Sequence, residues 1–261
     1  MTLLILDPKP AAPDSSNQAN PDPHANGYRG IPAYLRDFYA WAYIKPGAVR
    51  LFEHQSIINL ILFGNYARLR QAALDALGTT VSGRALQVAC AYGDLTESLQ
   101  RRLNPDATLD VVDIVPIQLE SLARHLKPDA RITLRQADST SLPYVHAHFD
   151  QVLLYFLLHE QPDEVRHQTL VEALRVLKPG GQLVIVDYAR PSWWHPLRPL
   201  MALVFAWLEP FAQRFCELGL ESFLPNHGQF ELRHRSCFFG GLYQLWVLTR
   251  TTPPVTKALK A

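Results

Sequence analysis

The sequence predicts an α/β fold built on a doubly wound, mostly parallel sheet of seven strands. Between residues 80 and 190, short apolar runs alternate with stretches of helical periodicity, and connections of that length imply right-handed crossovers between parallel strands. After residue 228, the segment FELRHRSCFFGGLYQLWVLTR alternates well enough for two closing strands around Gly240 and Gly241.

The core elements follow one another in a regular order. The five expected core strands are ALQVACA, ATLDVVDI, ARITLRQAD, FDQVLLYFLL and GQLVIVDYA, and the stretches with helical spacing between them are DLTESLQRRL, PIQLESLARHL and PDEVRHQTLVEALRVL. Before the core, IPAYLRDFYAWAYI and VRLFEHQSIINLILFGNYARLRQAALDAL carry apolar residues at steps of three and four, with a Pro46-Gly47 break between them.

These patterns and the changes in composition divide the chain into six regions. Residues rich in Pro, Asp, Asn and Ser predict a disordered stretch near the start, and the last residues read as a second tail. The predicted regions are 1–27 (tail), 28–79 (N-terminal helical cap), 80–190 (α/β core), 191–228 (aromatic insertion), 229–250 (closing strands of the core) and 251–261 (tail).

Composition excludes several classes of function. The 261 residues carry a formal net charge of +1, so no overall basic field favours nucleic acid. Cys90, Cys216 and Cys237 lack the spacing of a disulfide framework or a zinc site, which indicates free thiols in a reducing compartment. Neither the short apolar run before Asp7 nor the run Leu200–Leu208 is long enough for a secretory signal or a membrane span. We therefore expect a cytoplasmic protein.

Two carboxylates mark a candidate nucleoside site. Asp113 ends the second core strand in LDVVDI, and Asp138 ends the third in RQADSTSLP. Ligands of open parallel sheets bind at the carboxyl ends of the strands, where Asp113 is placed to accept hydrogen bonds from ribose hydroxyls and Asp138 to meet an adenine amino group. Each acid alone is equally explained as a helix cap or a turn former; the pair, in order and at this spacing, favours nucleoside binding.

In this order the motifs resemble those of class I S-adenosylmethionine-dependent methyltransferases. The likeness covers about residues 84–190, and LRVLKPGG followed by an apolar strand is its most specific part. It implies a Rossmann-like fold, with ribose on Asp113, adenine on Asp138 and the methionine part of the cofactor on the turn Ala89–Gly93. The cofactor-binding residues implied in this way are Gln87, Ala89, Ala91, Tyr92, Gly93, Asp113, Ile114, Asp138 and Ser139.

The turn VACAYGD departs from that family's usual pattern of an acid followed by three spaced glycines. Gln87 replaces the acid, Ala89 and Ala91 replace two glycines, and Tyr92 adds a ring and a hydroxyl, so that only Gly93 remains. Alanine restricts both the close approach of a ligand and positive φ. The departures indicate either a site altered for different chemistry or a site that has decayed; the intact acids and KPGG argue against simple decay.

A narrower resemblance accounts for the departures together. FYAWAYIKPGAVRLFEHQSIINLILFGNYARL, VACAYGDLT and PSWWHPLRPL resemble the rhodoquinone biosynthesis protein family over most of residues 34–250. That likeness implies that a ring methoxy group of ubiquinone is replaced by an amino group, with S-adenosylmethionine as the nitrogen donor and with manganese. Gln87 fits such chemistry, because a carboxylate at this position would raise the pKa of the donor amine, and we hypothesise that its absence helps to free the amine.

The manganese that the resemblance implies would need ligands, and the ends of the fourth and fifth predicted strands carry candidates. Manganese prefers oxygen and imidazole ligands, and the candidate ligands are His159, Glu160 and Asp187, with Asp138 as a fourth. The candidate catalytic residues are Tyr92, Tyr155 and His159, the tyrosines as hydrogen-bond donors to a quinone oxygen. Packing or substrate binding explains His159 equally well, and both tyrosines are equally explained as wall residues.

A polyprenyl quinone lies in the bilayer, so the aromatic segments are candidates for membrane contact. The insertion carries Trp193, Trp194 and Trp207 beside basic residues, and the N-terminal helices offer Phe38, Trp41 and Phe52 as the other lip of an apolar entrance. This pattern predicts peripheral association with the inner face of the membrane. The alternative is that both segments simply cover the sheet.

The sequence therefore allows three functions. The first is conversion of ubiquinone to rhodoquinone by amino transfer from S-adenosylmethionine with Mn²⁺. The second is conventional S-adenosylmethionine-dependent methylation of a quinone or lipophilic phenol, with Tyr92 or His159 as the base. The third is an inert quinone-binding module that presents its ligand to another enzyme.

Overall fold

The computed structural model describes residues 3–5, 30–44, 46–52, 54–225 and 229–251. Eight strands form one sheet across these residues. They are β1 (Leu3–Ile5), β2 (Arg84–Val88), β3 (Thr108–Asp113), β4 (Ile132–Gln136), β5 (Phe149–Tyr155), β6 (Leu177–Tyr188), β7 (Phe230–Phe238) and β8 (Tyr243–Arg250).

Helices cover the faces of this sheet and build the regions before and after the core. The α-helices are α1 (Ala33–Phe38), α2 (Pro46–Phe52), α3 (Gln55–Ile61), α4 (Tyr66–Leu77), α5 (Leu95–Gln100), α6 (Pro116–His125), α7 (Asp163–Val176), α8 (Arg198–Leu208) and α9 (Ala212–Leu218). A π-helix spans Ala40–Ile44, and short 3₁₀ turns span Leu158–Glu160, Leu220–Phe223 and Phe239–Gly241.

The strand order is β1-β4-β3-β2-β5-β6-β8-β7. The strands from β1 to β6 pair in parallel, and β8 pairs antiparallel with both β6 and β7. The doubly wound, mostly parallel sheet predicted from the sequence is therefore confirmed. The chain order reverses between β2 and β5, and this switch point places a crevice at the carboxyl ends of the central strands.

The sheet has one strand more than the sequence predicts. Leu3–Ile5, inside the region predicted as a disordered tail, pairs in parallel with β4 at the edge of the sheet. The rest of the predicted tail 1–27, the first two residues of the predicted cap (28 and 29) and all of the predicted tail 251–261 except residue 251 lie outside the described residues. An extended partner satisfies the outer edge of β4, which a tail would leave unpaired.

The core lies on both faces of the central strands. Side chains such as Leu109, Val111, Val152 and Leu154 are fully buried, as expected for parallel strands covered by helices on each side. The charged side chains at the two ends of α7 interact favourably with the helix dipole, because Asp163 lies in the first turn and Arg175 in the last. The sheet is thus a rigid platform whose strand ends can hold side chains in fixed positions.

The insertion between β6 and β7 folds as α8, α9 and a 3₁₀ turn. Within the described parts of the chain, no helix has the length and apolar character needed to cross a membrane. Cys90, Cys216 and Cys237 are all free thiols.

Candidate active site

A cavity of about 420 Å³ opens at the carboxyl ends of the central strands, beneath the N-terminal helices and α8. It contains most of the residues that the sequence singled out. Those that line it are Ala89, Ala91, Tyr92, Asp113, Ile114, Asp138, Ser139, Tyr155, His159 and Glu160. The cavity lining does not include Gln87, Gly93 or Asp187.

The turn after β2 keeps the backbone shape of a glycine turn despite its alanines. Ala89 has φ 71°, in the left-handed region, and its amide donates to the Val112 carbonyl at 2.8 Å. A non-glycine residue pays about 1–2 kcal/mol for that conformation. Strain of this kind persists where surrounding contacts fix it, so the turn at Ala89 is held in its shape by the neighbouring strand β3.

Gly93 is required at its position for two reasons. Its φ is 83°, and a Cβ there would lie 2.4 Å from the hydroxyl oxygen of Tyr66, which is itself buried and bonded to Asp94. We expect Gly93→Ala to lower the free energy of unfolding by roughly 3 kcal/mol or more, because overpacking adds to backbone strain. Chemical denaturation measures this value.

Gly180→Ala is the matched control for this prediction. Gly180 has φ 79°, but a Cβ there meets nothing within 4 Å, so its substitution tests backbone strain alone, about 1–2 kcal/mol. Equal destabilisation by the two variants would contradict the proposed contact between Gly93 and Tyr66.

Gln87 does not face the cavity, which corrects its predicted role as a cofactor contact. It is fully buried; its amide nitrogen donates to the Ala89 carbonyl at 3.0 Å and its oxygen accepts from the Thr96 hydroxyl at 3.0 Å. Side chains alternate along a strand, so Val88 lines the cavity whereas Gln87 points toward α5. Gln87 therefore supports the strained turn and ties it to that helix.

Tyr92 lines the cavity with its ring, but its hydroxyl is already engaged. The hydroxyl donates to the Ala42 carbonyl at 2.9 Å and accepts from the Gln118 amide at 2.8 Å. Burial raises the pKa of Tyr92 above its ordinary value, which disfavours the phenolate that a base would need. The ring stacks on Tyr43 with centroids 5.7 Å apart. Tyr92 thus fastens the N-terminal cap to the turn, and its predicted role as a base is not supported.

Asp113 is the buried carboxylate of the cavity wall. Its two oxygens accept the amide N–H of Cys90 at 2.7 Å and of Val115 at 2.8 Å. A carboxylate offers about four acceptor positions, so it retains capacity for the two hydroxyls of a ribose. Burial raises the pKa of Asp113 to about 6, against the lowering effect of these amides. The geometry fits the nucleoside role that the sequence predicts.

Asp138 and Ser139 line the same wall one strand further along. One Asp138 oxygen accepts from the amide and the hydroxyl of Thr140, both at 2.8 Å. The Ser139 hydroxyl lies 2.9 Å from the hydroxyl of Thr169 and accepts from the Gln161 amide at 3.1 Å. These bonds fix the loop after β4 beside Asp113. The two acids and the turn at Ala89 thus form a continuous wall suited to a nucleoside with an attached amino acid.

His159 and Asp187 form a buried pair on the opposite side of the cavity. His159 Nδ1 lies 2.7 Å from Asp187 Oδ1, and only 3% of the histidine is exposed. Burial alone would lower the pKa of His159, but the Asp187 carboxylate outweighs it and raises this pKa to about 9. Because Nδ1 is held by Asp187, Nε2 is the nitrogen left to exchange a proton with a ligand.

The manganese site predicted over His159, Glu160 and Asp187 does not form. Asp187 turns inward to accept the amides of Leu158 and Tyr188 at 2.9 and 2.7 Å as well as the histidine. No group of three or more His, Cys, Asp and Glu side chains within the described ranges is arranged to hold a metal ion. The residues present therefore do not fit that metal.

Sequence reasoning missed a second acidic residue and two tyrosines on this side of the cavity. Glu209, just after α8, lines the cavity together with Tyr34 and Tyr43, and the Tyr43 hydroxyl donates to Glu160. Burial raises the pKa of both Glu160 and Glu209, and His159 opposes this rise in each. The Glu209 carboxylate raises the pKa of Glu160 further. Glu209 is an isolated acid in the apolar stretch AWLEPF, and that isolation is the signal that would have identified it.

Tyr155 remains a candidate donor. It ends β5, lines the cavity and is 6% exposed. Its hydroxyl is buried and has no hydrogen-bond partner among the described residues. A buried hydroxyl is costly without a partner, so the role of Tyr155 as a donor to a ligand oxygen stays a prediction.

Arg166 joins the loop that carries His159 to the insertion. It is fully buried and donates to the carbonyls of Leu158 at 2.9 Å, Gln161 at 2.6 Å and Phe211 at 3.2 Å. Its guanidinium also lies over the rings of Phe215 and Phe223, 4.8 and 4.4 Å from their centroids. The position of His159 therefore depends on the insertion being folded against the core.

The strand order and the placement of the acids together define the fold of class I methyltransferases. Residues 85–181 match the sequence family described as "Methyltransferase domain". The solved structure of the N-methyltransferase NodS from Bradyrhizobium japonicum WM9, in complex with S-adenosyl-L-homocysteine, matches with a TM-score of 0.52 and 14% identity over 72% of this chain and 87% of NodS. This likeness shows the fold.

Sequence similarity extends to curated quinone methyltransferases. The demethylmenaquinone methyltransferase of Staphylococcus saprophyticus is 30% identical over 54% of this chain and 59% of its own length. That of Staphylococcus aureus strain JH9 is 27% identical over 60% of this chain and 64% of its own length. The chain thus spans about three fifths of the length of these relatives.

Proposed function

We propose that this protein transfers a methyl group from S-adenosylmethionine to the ring of a lipophilic quinol. The observation that carries the proposal is His159, which Asp187 holds from behind the wall and which lines the same aromatic cavity as Asp113 and the Ala89 turn. We infer that a nucleoside cofactor and a flat ring bind side by side in this cavity. The similarity to quinone methyltransferases supports this choice of substrate class.

In this mechanism the cofactor supplies an electrophilic methyl group on its sulfonium. Asp113 and Asp138 hold the nucleoside, and the Ala89 turn holds the methionine part. The Tyr155 hydroxyl donates to a ring oxygen, and neutral His159 accepts a proton at Nε2 as the ring attacks. The attacking ring carbon would bond to the methyl group as the sulfur-to-methyl bond breaks, with the electron pair staying on sulfur. The hydrogen on that carbon would then leave as a proton and the ring oxygen would be reprotonated, which restores the aromatic quinol. Asp187 stabilises the imidazolium that results.

Amino transfer to a quinone is the second candidate, and one observation favours it. Gln87 places no carboxylate at the position where the class I pattern has an acid, and its amide is fully used inside the protein. An amine without an acidic partner is more readily neutral and nucleophilic. In this reaction the cofactor nitrogen bonds to the ring carbon and the methoxy group leaves as methanol.

Formation of S-adenosylhomocysteine that depends on an acceptor tests the main proposal. The protein is incubated with S-adenosylmethionine and a reduced demethylated polyprenyl quinol, with the quinol omitted in a parallel reaction. We expect S-adenosylhomocysteine to appear only when the quinol is present. Binding of the quinol without any turnover would instead support the inert module.

We further propose that the protein takes its substrate from a membrane surface. The mouth of the cavity is bordered by Trp41 and Ile61 on one side and Leu208 on the other, and each of these lines the cavity and is also solvent-exposed. The same N-terminal helices and α8 expose further large apolar side chains, which are Phe38, Leu51, Leu60, Leu200, Leu203 and Trp207.

Trp193 and Trp194 add to this surface, being 83% and 62% exposed. Indole rings favour the interface between lipid headgroups and water. We therefore expect the double variant Trp193→Ser, Trp194→Ser to lose most of the wild-type binding to phosphatidylcholine vesicles in a flotation assay.

Val145→Ser is the matched control, since Val145 is 71% exposed but lies in the loop between β4 and β5. This control is expected to float like the wild type. Undiminished flotation of the tryptophan variant would refute the proposed role of Trp193 and Trp194.

A further inference from the structure

A second cavity of about 450 Å³ lies on the other side of the insertion. The end of β6 separates the two: Tyr188 lines the first cavity, whereas the next two residues, Ala189 and Arg190, line the second. α8 contributes to the wall of the first cavity and α9 to that of the second. We name the second cavity the arginine cleft, because Arg190 and Arg235 are its charged lining residues.

The arginine cleft carries positive charge that is only partly compensated. Arg235 is paired with Glu221 at 2.7 Å and lies 4.5 Å over the Trp246 ring, so its guanidinium is held in place. Arg190 is exposed, and the described part of the chain gives it no ion pair. No Asp or Glu is among the described residues that line the cleft. An anion entering the cleft would therefore meet one free guanidinium and one that is already oriented.

The backbone around the cleft permits close approach. Gly241 has φ 86° and lies against Ser192, whose amide donates to the Gly240 carbonyl at 3.0 Å. Glycine leaves this wall without side-chain bulk. Arginine, a hydroxyl and an open backbone are a combination suited to phosphate oxygens, which guanidinium groups bind through two parallel hydrogen bonds.

The position of the cleft indicates where such a phosphate would come from. Ser192 in its wall directly precedes Trp193 and Trp194, the two exposed indole rings. Tryptophan resides at the depth of lipid headgroups, and basic side chains at that depth attract anionic lipids. A protein that rests on the bilayer through these rings would present Arg190 at the level of the lipid phosphates.

We propose that the arginine cleft binds the phosphate of an anionic lipid headgroup. This inference rests on the membrane docking proposed above and is independent of the reaction. The two helices of the insertion would then have different roles: α8 borders the entrance for the substrate, and α9 borders a headgroup site. A free phosphate ester offers the same chemistry, so the test separates the two sources.

Flotation with vesicles of two compositions tests the proposal on the full chain. Wild type is compared with Arg190→Gln on phosphatidylcholine vesicles and on vesicles that also contain phosphatidylglycerol. We expect Arg190→Gln to weaken binding to the anionic vesicles about 5- to 10-fold, from the loss of one basic group near an anionic surface. Its binding to phosphatidylcholine is expected to match that of wild type, which shows that docking itself is intact.

Arg233→Gln is the matched control. Arg233 is exposed on the same strand as Arg235, and its substitution by glutamine removes the same charge as Arg190→Gln. Arg233 pairs with Glu231 at 3.1 Å and is not a lining residue of the cleft. It is expected to change binding less than twofold. Equal losses in the two variants would overturn the site in favour of diffuse attraction. The lipid source would be overturned if glycerol phosphate bound to the cleft while the wild type bound anionic vesicles no better than phosphatidylcholine vesicles.

Discussion

Substitution of His159 by asparagine is expected to lower the turnover number for methyl transfer about 10²- to 10⁴-fold, the usual contribution of a positioned acid or base. His159 lines the cavity, and Asp187 holds its Nδ1 at 2.7 Å, which leaves Nε2, 3.7 Å from a Glu160 oxygen, as the nitrogen that can exchange a proton. Asparagine preserves polarity but cannot accept the substrate's proton. Steady-state kinetics with a reduced quinol, at saturating S-adenosylmethionine, measure the loss.

The pH profile gives a second view of the same residue. The pKa of His159 is raised to about 9, and only the neutral imidazole accepts a proton. The value of kcat/KM is therefore expected to rise with pH, to reach half its maximum near pH 9 and to level off above that pH. In His159→Asn this rise is expected to disappear.

His167→Asn is the control for both measurements. His167 lies on α7 and its ring bonds to the Phe223 carbonyl, but it does not line the cavity. It is expected to retain the wild-type turnover number and pH profile. A His159 variant with unchanged turnover, while S-adenosylhomocysteine binding is intact, would remove His159 from the mechanism.

Substitution of Asp113 by asparagine is expected to weaken S-adenosylhomocysteine binding at least about 100-fold. Two hydrogen bonds to a charged acceptor contribute about 1.5–3 kcal/mol each, and the carboxylate also fixes the Cys90 and Val115 amides. Isothermal titration calorimetry measures the dissociation constant directly, without any assumption about the reaction.

Asp110→Asn is the matched control, because Asp110 lies on the same strand but is not a lining residue of the cavity. It is expected to bind S-adenosylhomocysteine like the wild type. If Asp113→Asn remained folded by circular dichroism and bound within threefold of wild type, the ribose contact would be refuted.

The sheet and the nucleoside side of the cavity follow from local features of the sequence. Apolar runs of strand length, separated by helical spacing, define the parallel core, and Asp113 and Asp138 appear where those runs end. Because parallel strands end at one edge, both acids had to reach the same crevice. The same argument places Tyr155 and His159 there.

The opposite side of the cavity depends on contacts that no local pattern encodes. Tyr43 reaches Glu160 because a π-helix spans Ala40–Ile44, and Glu209 arrives through the packing of the insertion around Arg166. Asp187 shows the converse: it ends a strand, as the sequence indicates, but backbone amides turn its carboxylate inward. A strand-end position therefore predicts proximity to the crevice and leaves side-chain direction undetermined.

The most direct test of the proposed reaction is incubation with doubly labelled cofactor, in parallel with a reduced demethylated quinol and with a methoxy-bearing quinone. S-adenosylmethionine carries ¹³C in its methyl group and ¹⁵N at its α-amine, and the quinone product is examined by mass spectrometry. Methyl transfer predicts that the product contains the ¹³C label and no ¹⁵N. Incorporation of ¹⁵N without ¹³C would contradict it and establish amino transfer in its place.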